Sequence, residues 1–354
     1  MLDPEGPEKI SSSGIESYID PVLKPRRTMV RLAARLWEAG MLAFVSNTRG
    51  YVSPFTVVKA VVERETAAVA PPGRARREKG APQGARTWEL TQRMVLDQRR
   101  ENLRWKKPPW FPLSNPACFP YLEVPSPKDA AVGIMTGDAP DWYWTLLLPQ
   151  ALWEYFCLPE VRPADLRNAL REKGVEIDVP DGAVGLAIRS PVMGWSWAVI
   201  LAHWCLEDLL THFVDEFRTN NRIAFKIPLP QLHVNEMIHW EYIDDVGALV
   251  IVPKGTVDEA VGKARELGAK VRGEFEAQGF GFHKDTYGTT AISLGHELEP
   301  QGFGVRASRK AFWGAVGATE ELLRVKQAAA ETLEALLSTW IWLSLTCKPA
   351  LATW

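Results

Sequence analysis

Two apolar segments flank a pair of adjacent aspartates in the stretch HWEYIDDVGALVIV, residues 239–252. Apolar runs of this length predict strands, and Asp favours the tight turn between them because its side chain can hydrogen-bond the nearby backbone. The stretch therefore predicts a β-hairpin with Asp244 and Asp245 at its turn. Either these carboxylates only stabilise the turn, or they hold a divalent cation together with a third carboxylate from elsewhere in the chain.

Composition narrows the classes of protein that fit. The chain has 354 residues, of which 46% are hydrophobic and 24% charged, enough to bury a large core within two or three subdomains. Its four cysteines lie far apart, which indicates neither a zinc site nor a disulfide framework and favours a reducing compartment. The polar N-terminus is unlike a signal peptide, and the apolar runs are too short to span a bilayer. We therefore expect an intracellular protein, cytoplasmic or nuclear, with no membrane segment.

Charge is distributed unevenly along the chain. The formal net charge is −2, yet the segment from Pro71 to Lys107 holds eleven Lys or Arg against four acidic residues, a local charge of +7. A local basic stretch is typical of a surface that contacts nucleic-acid phosphates, and equally of a solvated loop. Charge alone leaves both interpretations open.

Periodicity predicts helices and antiparallel strands that alternate without βαβ regularity. The segment that ends at Gly40 has the apolar spacing of an amphipathic helix, and the Pro-, Gly- and Arg-rich residues 66–90 predict a mobile loop. Residues 1–24 are predicted to be disordered. Further helices are predicted over 198–217 and 256–278, and further strands over 51–65, 92–102 and 133–138, with short strands around 281–286 and 291–298. This order of elements indicates an α+β fold.

A candidate for the third carboxylate lies in the stretch GDAPDWYW, residues 137–144, where Asp138 ends an apolar strand. Two-metal phosphoryl transfer needs carboxylates from separate strands, so that one ion activates the attacking hydroxyl and the other steadies the leaving pyrophosphate. Mg²⁺ takes one or two protein carboxylates in addition to substrate phosphates, so three Asp suffice.

These residues resemble the reverse transcriptases, the RNA-directed DNA polymerases of retroelements. The tetrad Tyr242-Ile243-Asp244-Asp245 matches the YxDD hairpin of that family, and other blocks occur in the family's order over roughly residues 25–315. The blocks are MVRLAARLWEAGML with SPFTVVK, RMVLDQRREN, DAPDWYW, MGWSWA, GFHKDT and LGHEL. Several blocks in one order are more specific than a single motif.

The resemblance implies a right-hand polymerase fold with fingers, palm and a partial thumb. It places the fingers at residues 25–130, the palm at 131–305 with fingers helices inserted, and the start of a truncated thumb at 306–354. We therefore expect the chain to be a fragment of a longer polyprotein or a decayed copy.

The resemblance also implies a role for each site residue. Asp138 and Asp244 would coordinate two Mg²⁺ ions, with Mn²⁺ as a substitute, and Asp245 would support them. The residues implied to bind the nucleotide are Arg93 and Lys59 at the triphosphate, Tyr143 under the sugar, Met193 and Gly194 below the base, and Lys284 as a proton donor to pyrophosphate. The implied partners are deoxynucleoside triphosphates and an RNA or DNA template with its primer.

Simpler interpretations stand beside these roles. Lys284 could be a surface lysine, Tyr143 a core ring, and Arg99 a structural partner of Asp97. The alternative for the whole chain is a catalytically inactive or domesticated remnant that binds nucleic acid or protein. Retention of three mutually repelling carboxylates weighs against that alternative.

Overall fold

The chain forms two units, each assembled from separate segments. The computed structural model describes residues 1–65, 86–218, 221–231, 237–299 and 304–347. The first unit comprises Met1–Pro108 and Leu146–Ala198, and the second comprises Pro109–Thr145 and Val199–Trp354. The predicted limits of the fingers at residues 25–130, the palm at 131–305 and the thumb at 306–354 stay a prediction.

The described residues mix helices with antiparallel strand pairs, as the α+β prediction expects. The helices are α1 (Gly6–Ser12), α2 (Arg26–Glu38), α3 (Trp142–Thr145), α4 (Gln150–Trp153), α5 (Pro163–Arg171), α6 (Ala198–Phe213), α7 (Val257–Ala277), α8 (Arg309–Val325) and α9 (Ala330–Ser344). The strands are β1 (Leu42–Val45), β2 (Ser53–Glu65), β3 (Arg86–Asp97), β4 (Ala130–Asp138), β5 (Gly185–Ile188), β6 (Met237–Tyr242), β7 (Asp245–Pro253), β8 (His283–Gly288), β9 (Ala291–Ser293), β10 (His296–Glu299) and β11 (Gly304–Ala307). No helix among these residues combines the length and the hydropathy needed to cross a membrane.

Two antiparallel strand pairs organise the first unit. Strand β1 pairs with β5, and β2 pairs with β3 along their whole length. The β2–β3 register is interrupted between Val58 and Ala60, which makes Lys59 the unpaired residue of a bulge. The loop predicted over residues 66–90 lies outside the described residues from 66 to 85, and its remainder belongs to β3.

The N-terminal segment is more ordered than its polar composition predicts. Helix α1 forms within residues 1–24, and a Cβ on Gly6 would lie 2.7 Å from the Arg104 Cα. The Asp3 amide donates to the Arg104 carbonyl (2.8 Å), and the Lys106 amide donates to the Met1 carbonyl (2.9 Å). These hydrogen bonds and the close backbone contact are tertiary, so local composition could not predict them.

Aromatic side chains form the centre of the first unit. Trp105 packs against Phe156 and Trp195, with ring centroids 6.1 Å and 5.2 Å away. Next to this cluster, the Asn102 side chain donates to the Gly194 carbonyl (2.8 Å) and accepts the Ser196 amide (2.9 Å). Asn102 thereby anchors the MGWSWA loop within this unit.

The second unit is built on a four-stranded antiparallel sheet with the strand order β6-β7-β4-β8. Its central strands β4 and β7 are buried on both faces. Ala131 packs with Val252 and with Ala260 of α7, while the next residue, Val132, joins the cluster around Trp240. Burial on both faces explains why β4 and β7 are continuous apolar runs rather than alternating ones.

A smaller sheet and two helices complete the second unit. The sheet has the order β11-β10-β9, and α8 follows β11 directly. Helix α9 returns beside α8, where the Trp340 indole donates to the Thr319 hydroxyl at 2.9 Å.

Candidate functional site

The predicted hairpin turn is present, and it is strained. Strand β6 ends at Tyr242 and β7 begins at Asp245, with these two residues paired across the turn. The Asp244 amide donates to the Tyr242 carbonyl at 2.8 Å, and Ile243 between them has φ +63°. A left-handed conformation at a β-branched residue is rare, costs about 1–3 kcal/mol, and is concentrated at functional sites.

The three predicted aspartates come together at one edge of the sheet. Asp138, the last residue of β4, is the direct partner of Asp245 in the antiparallel ladder. The Ala139 amide donates to the Asp244 carbonyl at 2.8 Å, which ties the turn to the end of β4. Two hydrogen-bonded strands therefore present three carboxylates from positions more than a hundred residues apart in the sequence.

Glycines allow aromatic rings to pack beside these carboxylates. A Cβ on Gly137 would lie 2.2 Å from the Phe282 ring, and one on Gly247 would lie 2.2 Å from the Trp240 ring. The aspartates therefore extend from a strand pair whose neighbouring positions are filled by buried rings.

The three carboxylates lie close enough together to repel one another. Burial, followed by the charges of Asp244 and Asp138, raises the pKa of Asp245 to about 7. The pKa of the Tyr242 phenol is also raised, first by burial and then by Asp245 and Asp244. A cluster of carboxylates that raises the pKa of one of its members is suited to bind a cation.

Lys284 supplies a positive charge to the cluster. Its Nζ lies 3.0 Å and 3.1 Å from the two carboxylate oxygens of Asp138, although its side chain is 80% exposed. The lysine lies on β8, beside His283, the residue that pairs with Asp138. An exposed ammonium group held by one carboxylate can be displaced by a competing cation at small cost.

The side chains as they stand do not form a finished metal site. Within the described ranges, no three His, Cys, Asp or Glu side chains are placed to hold a metal ion. The donor chemistry nevertheless fits Mg²⁺, because hard carboxylate oxygens are its preferred protein ligands. The raised Asp245 pKa and the ammonium group on Asp138 both indicate a place where positive charge is favoured.

Tyr143 lies in α3, five residues after Asp138 in the sequence. The preceding residue, Trp142, is buried, donates its indole N–H to the Ala202 carbonyl (2.8 Å) and packs against Phe280. Asp141 has φ +51° and accepts the Trp144 amide at 2.7 Å, which begins the helical turn. Trp142 therefore fixes α3, and Tyr143 is half-buried beside it.

The remaining predicted nucleotide-binding residues belong to the first unit. Arg93 is exposed on β3 opposite Val57, close in the ladder to the bulge at Lys59. The Met193 carbonyl accepts the Leu96 amide (3.1 Å), and Gly194 has φ +110° with its Cβ position 2.1 Å from the Leu96 carbonyl oxygen. Only glycine fits that position without moving the backbone. Arg99 pairs with Asp97 at 2.8 Å, so its structural interpretation is confirmed.

Sequence reasoning missed a buried polar network behind the turn. His203 on α6, with Arg222, Glu207, Glu241 and His239, forms a connected set of hydrogen bonds and ion pairs. The sequence contained one indication of this network. His239 and Glu241 are two residues apart, so they lie on the same face of a largely apolar strand.

Comparison with known proteins identifies a likeness of fold. No protein-family model matches the chain, and no curated protein matches it. A solved structure of a foamy viral protease–reverse transcriptase in complex with double-stranded DNA matches with a TM-score of 0.50 and 12% sequence identity. The match covers 96% of this chain but only 44% of that one. The chain therefore has a reverse-transcriptase-like fold.

Proposed function

We propose that this chain is an RNA-directed DNA polymerase of the YxDD type, from a retroelement, that adds deoxynucleotides to a primer 3′-hydroxyl. One observation carries the proposal: Asp138 faces Asp245 on adjacent strands, beside Asp244, in a chain with a reverse-transcriptase-like fold. In the proposal the first unit provides the fingers and the sheet of the second unit provides the palm. The partners are an RNA or DNA template with its primer, and deoxynucleoside triphosphates.

In the proposed reaction the aspartates hold and orient the reacting groups. Asp138 and Asp244 would bind two Mg²⁺ ions, and Asp245 would support them from the ladder position opposite Asp138. Bound Mg²⁺ supplies Lewis-acid chemistry, which makes the primer hydroxyl more acidic and offsets charge on the departing pyrophosphate. Lys284 would leave Asp138 when the ions bind and would then be free to protonate pyrophosphate.

Positively charged side chains would hold the triphosphate of the nucleotide, and uncharged residues would lie below its base. Arg93, with Lys59 nearby on β2, would pair with triphosphate oxygens, since a guanidinium binds phosphate in a bidentate manner. Met193 and Gly194 would lie below the base, where Gly194 lets the backbone approach closely.

Tyr143 would lie under the sugar and exclude a 2′-hydroxyl by volume. Replacing it with the smaller Val should raise the ratio of ribonucleotide to deoxynucleotide incorporation, because the side chain no longer fills that space. Competition between the two nucleotide types in primer extension measures this ratio. An unchanged ratio would show that Tyr143 is not the selecting residue.

A second function is a nucleic-acid-binding protein without catalysis. The observation that favours it is the ion pair between Lys284 and both oxygens of Asp138, which neutralises one carboxylate without a metal.

Primer extension separates the two functions. The full chain is incubated with a primed RNA template, and separately a primed DNA template, together with dNTPs and Mg²⁺ or Mn²⁺. We expect extension that a chelator abolishes. Binding of the template–primer without extension under either metal would support the non-catalytic function instead.

A further inference from the structure

Helix α2 carries a row of arginines on the side that faces solvent. Arg27, Arg31 and Arg35 follow one another at intervals of four residues, and all three are exposed. Residues four apart lie on the same face of a helix, about 6 Å apart along its axis, so this arginine row spans about 12 Å. The opposite face of α2 is buried in the first unit through Met29 and Ala33.

The arginine row has no counter-charge within the protein. The neighbouring Arg26 donates to both carboxylate oxygens of Asp165, at 2.9 Å and 2.8 Å. Glu38, the only acidic residue of α2, pairs with Lys173 at 2.8 Å. Within the described ranges, the three side chains of the row form no ion pair.

This arrangement of charge opposes the stability of the helix. Like charges four residues apart destabilise a helix, and cations in its first turn oppose the helix dipole. The first turn of α2 contains Arg26 and Arg27 and no acidic residue. Charges that cost folding free energy are expected where a surface serves binding rather than folding.

The neighbouring helix α5 lacks this concentration of positive charge. Arg167 and Arg171 are also exposed and four residues apart, but Asp165 lies in the first turn and Glu172 follows the helix. The formal charge of α2 is +3, from four arginines and Glu38, whereas that of α5 is +1, from two arginines and one aspartate. The first unit therefore carries a line of unpaired positive charge on α2.

We propose that the arginine row of α2 binds the sugar–phosphate backbone of a nucleic acid. One strand of B-form DNA advances about 3.4 Å along its axis per phosphate, so a row of about 12 Å spans three to four phosphates. A guanidinium pairs with phosphate in a bidentate manner, and such contacts are independent of base sequence. Bound phosphates supply the negative charge that the protein lacks at this helix.

A single-stranded template and a template–primer duplex share this backbone chemistry. The use of α2 as a path for the template rests on the proposed function, whereas the binding of a phosphate backbone does not.

The test removes two charges from the row and measures binding to each kind of nucleic acid. Arg31→Gln combined with Arg35→Gln keeps the helix propensity, because Gln and Arg are similar helix formers. Fluorescence anisotropy on the full chain, in chelator and without dNTPs, gives the affinity for a labelled single-stranded RNA and for a labelled blunt duplex at increasing KCl. The slope of log affinity against log salt should become shallower by about 1.4 for the single strand or about 1.8 for the duplex. At about 0.1 M KCl the affinity should fall about tenfold or more.

The probe whose slope changes identifies which backbone lies on α2. Arg31→Lys combined with Arg35→Lys should keep the parent slope, because lysine still neutralises a phosphate as a point charge. Arg167→Gln combined with Arg171→Gln is the matched control, since it removes the same charge at the same spacing from α5 of the same unit. Its slope should stay at the parent value.

Thermal unfolding separates loss of binding from loss of folding. The α2 double Gln variant should melt no lower than the parent, because repulsion within the row is reduced. A lower melting temperature would show that these arginines stabilise the fold instead, and would count against the proposal. Parent slopes for both probes in the α2 variant, or an equal change in the α5 control, would overturn it.

Primer extension distinguishes failure of this inference from failure of the proposed function. A parent chain that binds nucleic acid through the arginine row but extends no primer would remove the proposed function and leave this inference standing. A parent chain that extends primers, with an α2 variant that keeps the parent affinity and slope, would remove this inference alone.

Discussion

At the scale of single residues, the site is governed by charges that the fold brings together. Asp245 lies opposite Asp138 and next to Asp244, and its pKa is raised to about 7 by burial and by both neighbours. Lys284 offsets part of this charge from β8. Removing one negative charge from such a cluster should relieve repulsion in the folded state, whereas it should remove a ligand from any bound cation.

Asp244→Asn tests both consequences. Asn is nearly the same size and keeps the turn chemistry, so in chelator the variant should melt no lower than the parent. Primer extension should fall by several orders of magnitude, because an anionic metal ligand is removed. Template–primer binding, measured by fluorescence anisotropy, should persist.

Asp141→Asn is the matched control, because Asp141 is an exposed aspartate in the loop that follows Asp138. Its activity should stay within a few-fold of the parent. An Asp244→Asn chain that extends primers at the parent rate would contradict the metal-site assignment.

Asp97 stabilises the first unit in a manner that depends on pH. Its carboxylate accepts from the Arg99 side chain and from the Tyr18 amide (2.8 Å), and the Arg99 bonds, opposed by burial, lower its pKa from 3.8 to about 2. The folded pKa lies below the unfolded one, so this stability is present above about pH 4 and is lost as pH falls toward 2.

Asp97→Asn should therefore cost about 2 kcal/mol of unfolding free energy at pH 7, by the linkage of pKa to stability. The difference in unfolding free energy between parent and variant should narrow by about 1 kcal/mol as the pH falls from 5 to 3. Urea unfolding across this range measures it, with the exposed Glu16→Gln as control. A gap that does not change with pH would show that packing, rather than ionisation, gives Asp97 its effect.

At the scale of elements, strand β4, which ends at Asp138, packs closely against helix α7. A Cβ added to Gly133 of β4 would lie 2.3 Å from the Ala260 carbonyl oxygen of α7, a backbone atom that cannot rotate away. By contrast, a Cβ on Gly262, two residues further along α7, would meet nothing within 4 Å. Substitution by alanine should therefore change the unfolding free energy in opposite directions at these two glycines.

Gly133→Ala should lower the unfolding free energy by about 1–3 kcal/mol, because helix and strand must separate to admit the methyl group. Gly262→Ala should raise it by about 0.5–1 kcal/mol, since alanine is the better helix former. Chemical denaturation of both variants measures the difference. Equal stability of Gly133→Ala and the parent would show that α7 does not lie against β4 as described.

At the scale of the whole molecule, the net charge of −2 opposes association with nucleic acid, so binding has to depend on where the positive charges lie. Two of the four acids between Pro71 and Lys107 are paired locally, Asp97 with Arg99 and Glu101 with Arg104. Arg76, Arg77 and Lys79 fall in the same stretch of sequence, outside the described residues.

Replacing Arg76, Arg77 and Lys79 together with Ala should weaken template–primer binding. The slope of log affinity against log salt should become shallower by about 0.9 for each phosphate that these side chains no longer neutralise. A control triple variant at Arg162, Arg167 and Arg171 removes the same net charge from the segment of α5. If both triple variants change the slope equally, net charge rather than the basic stretch controls binding.

The sequence by itself determined the local features of this protein. The spacing of apolar residues predicted α2, α6, α7 and the β6–β7 hairpin, and the tetrad at residues 242–245 predicted where the turn would fall. These features depend on interactions between residues a few positions apart, which periodicity and turn chemistry record. The likeness to reverse transcriptases also came from short blocks and their order, and the structural match supports it at the level of fold.

Only the tertiary structure decided how the distant parts meet. Strand register placed Asp138 opposite Asp245, the β8 pairing placed Lys284 on Asp138, and packing of α6 placed His203 under Ile243. The order of the N-terminal segment was missed because its hydrogen bonds are to residues 104–106. In each case the deciding contact joins residues separated by tens of positions or more, and its free energy depends on burial and geometry that no local pattern records.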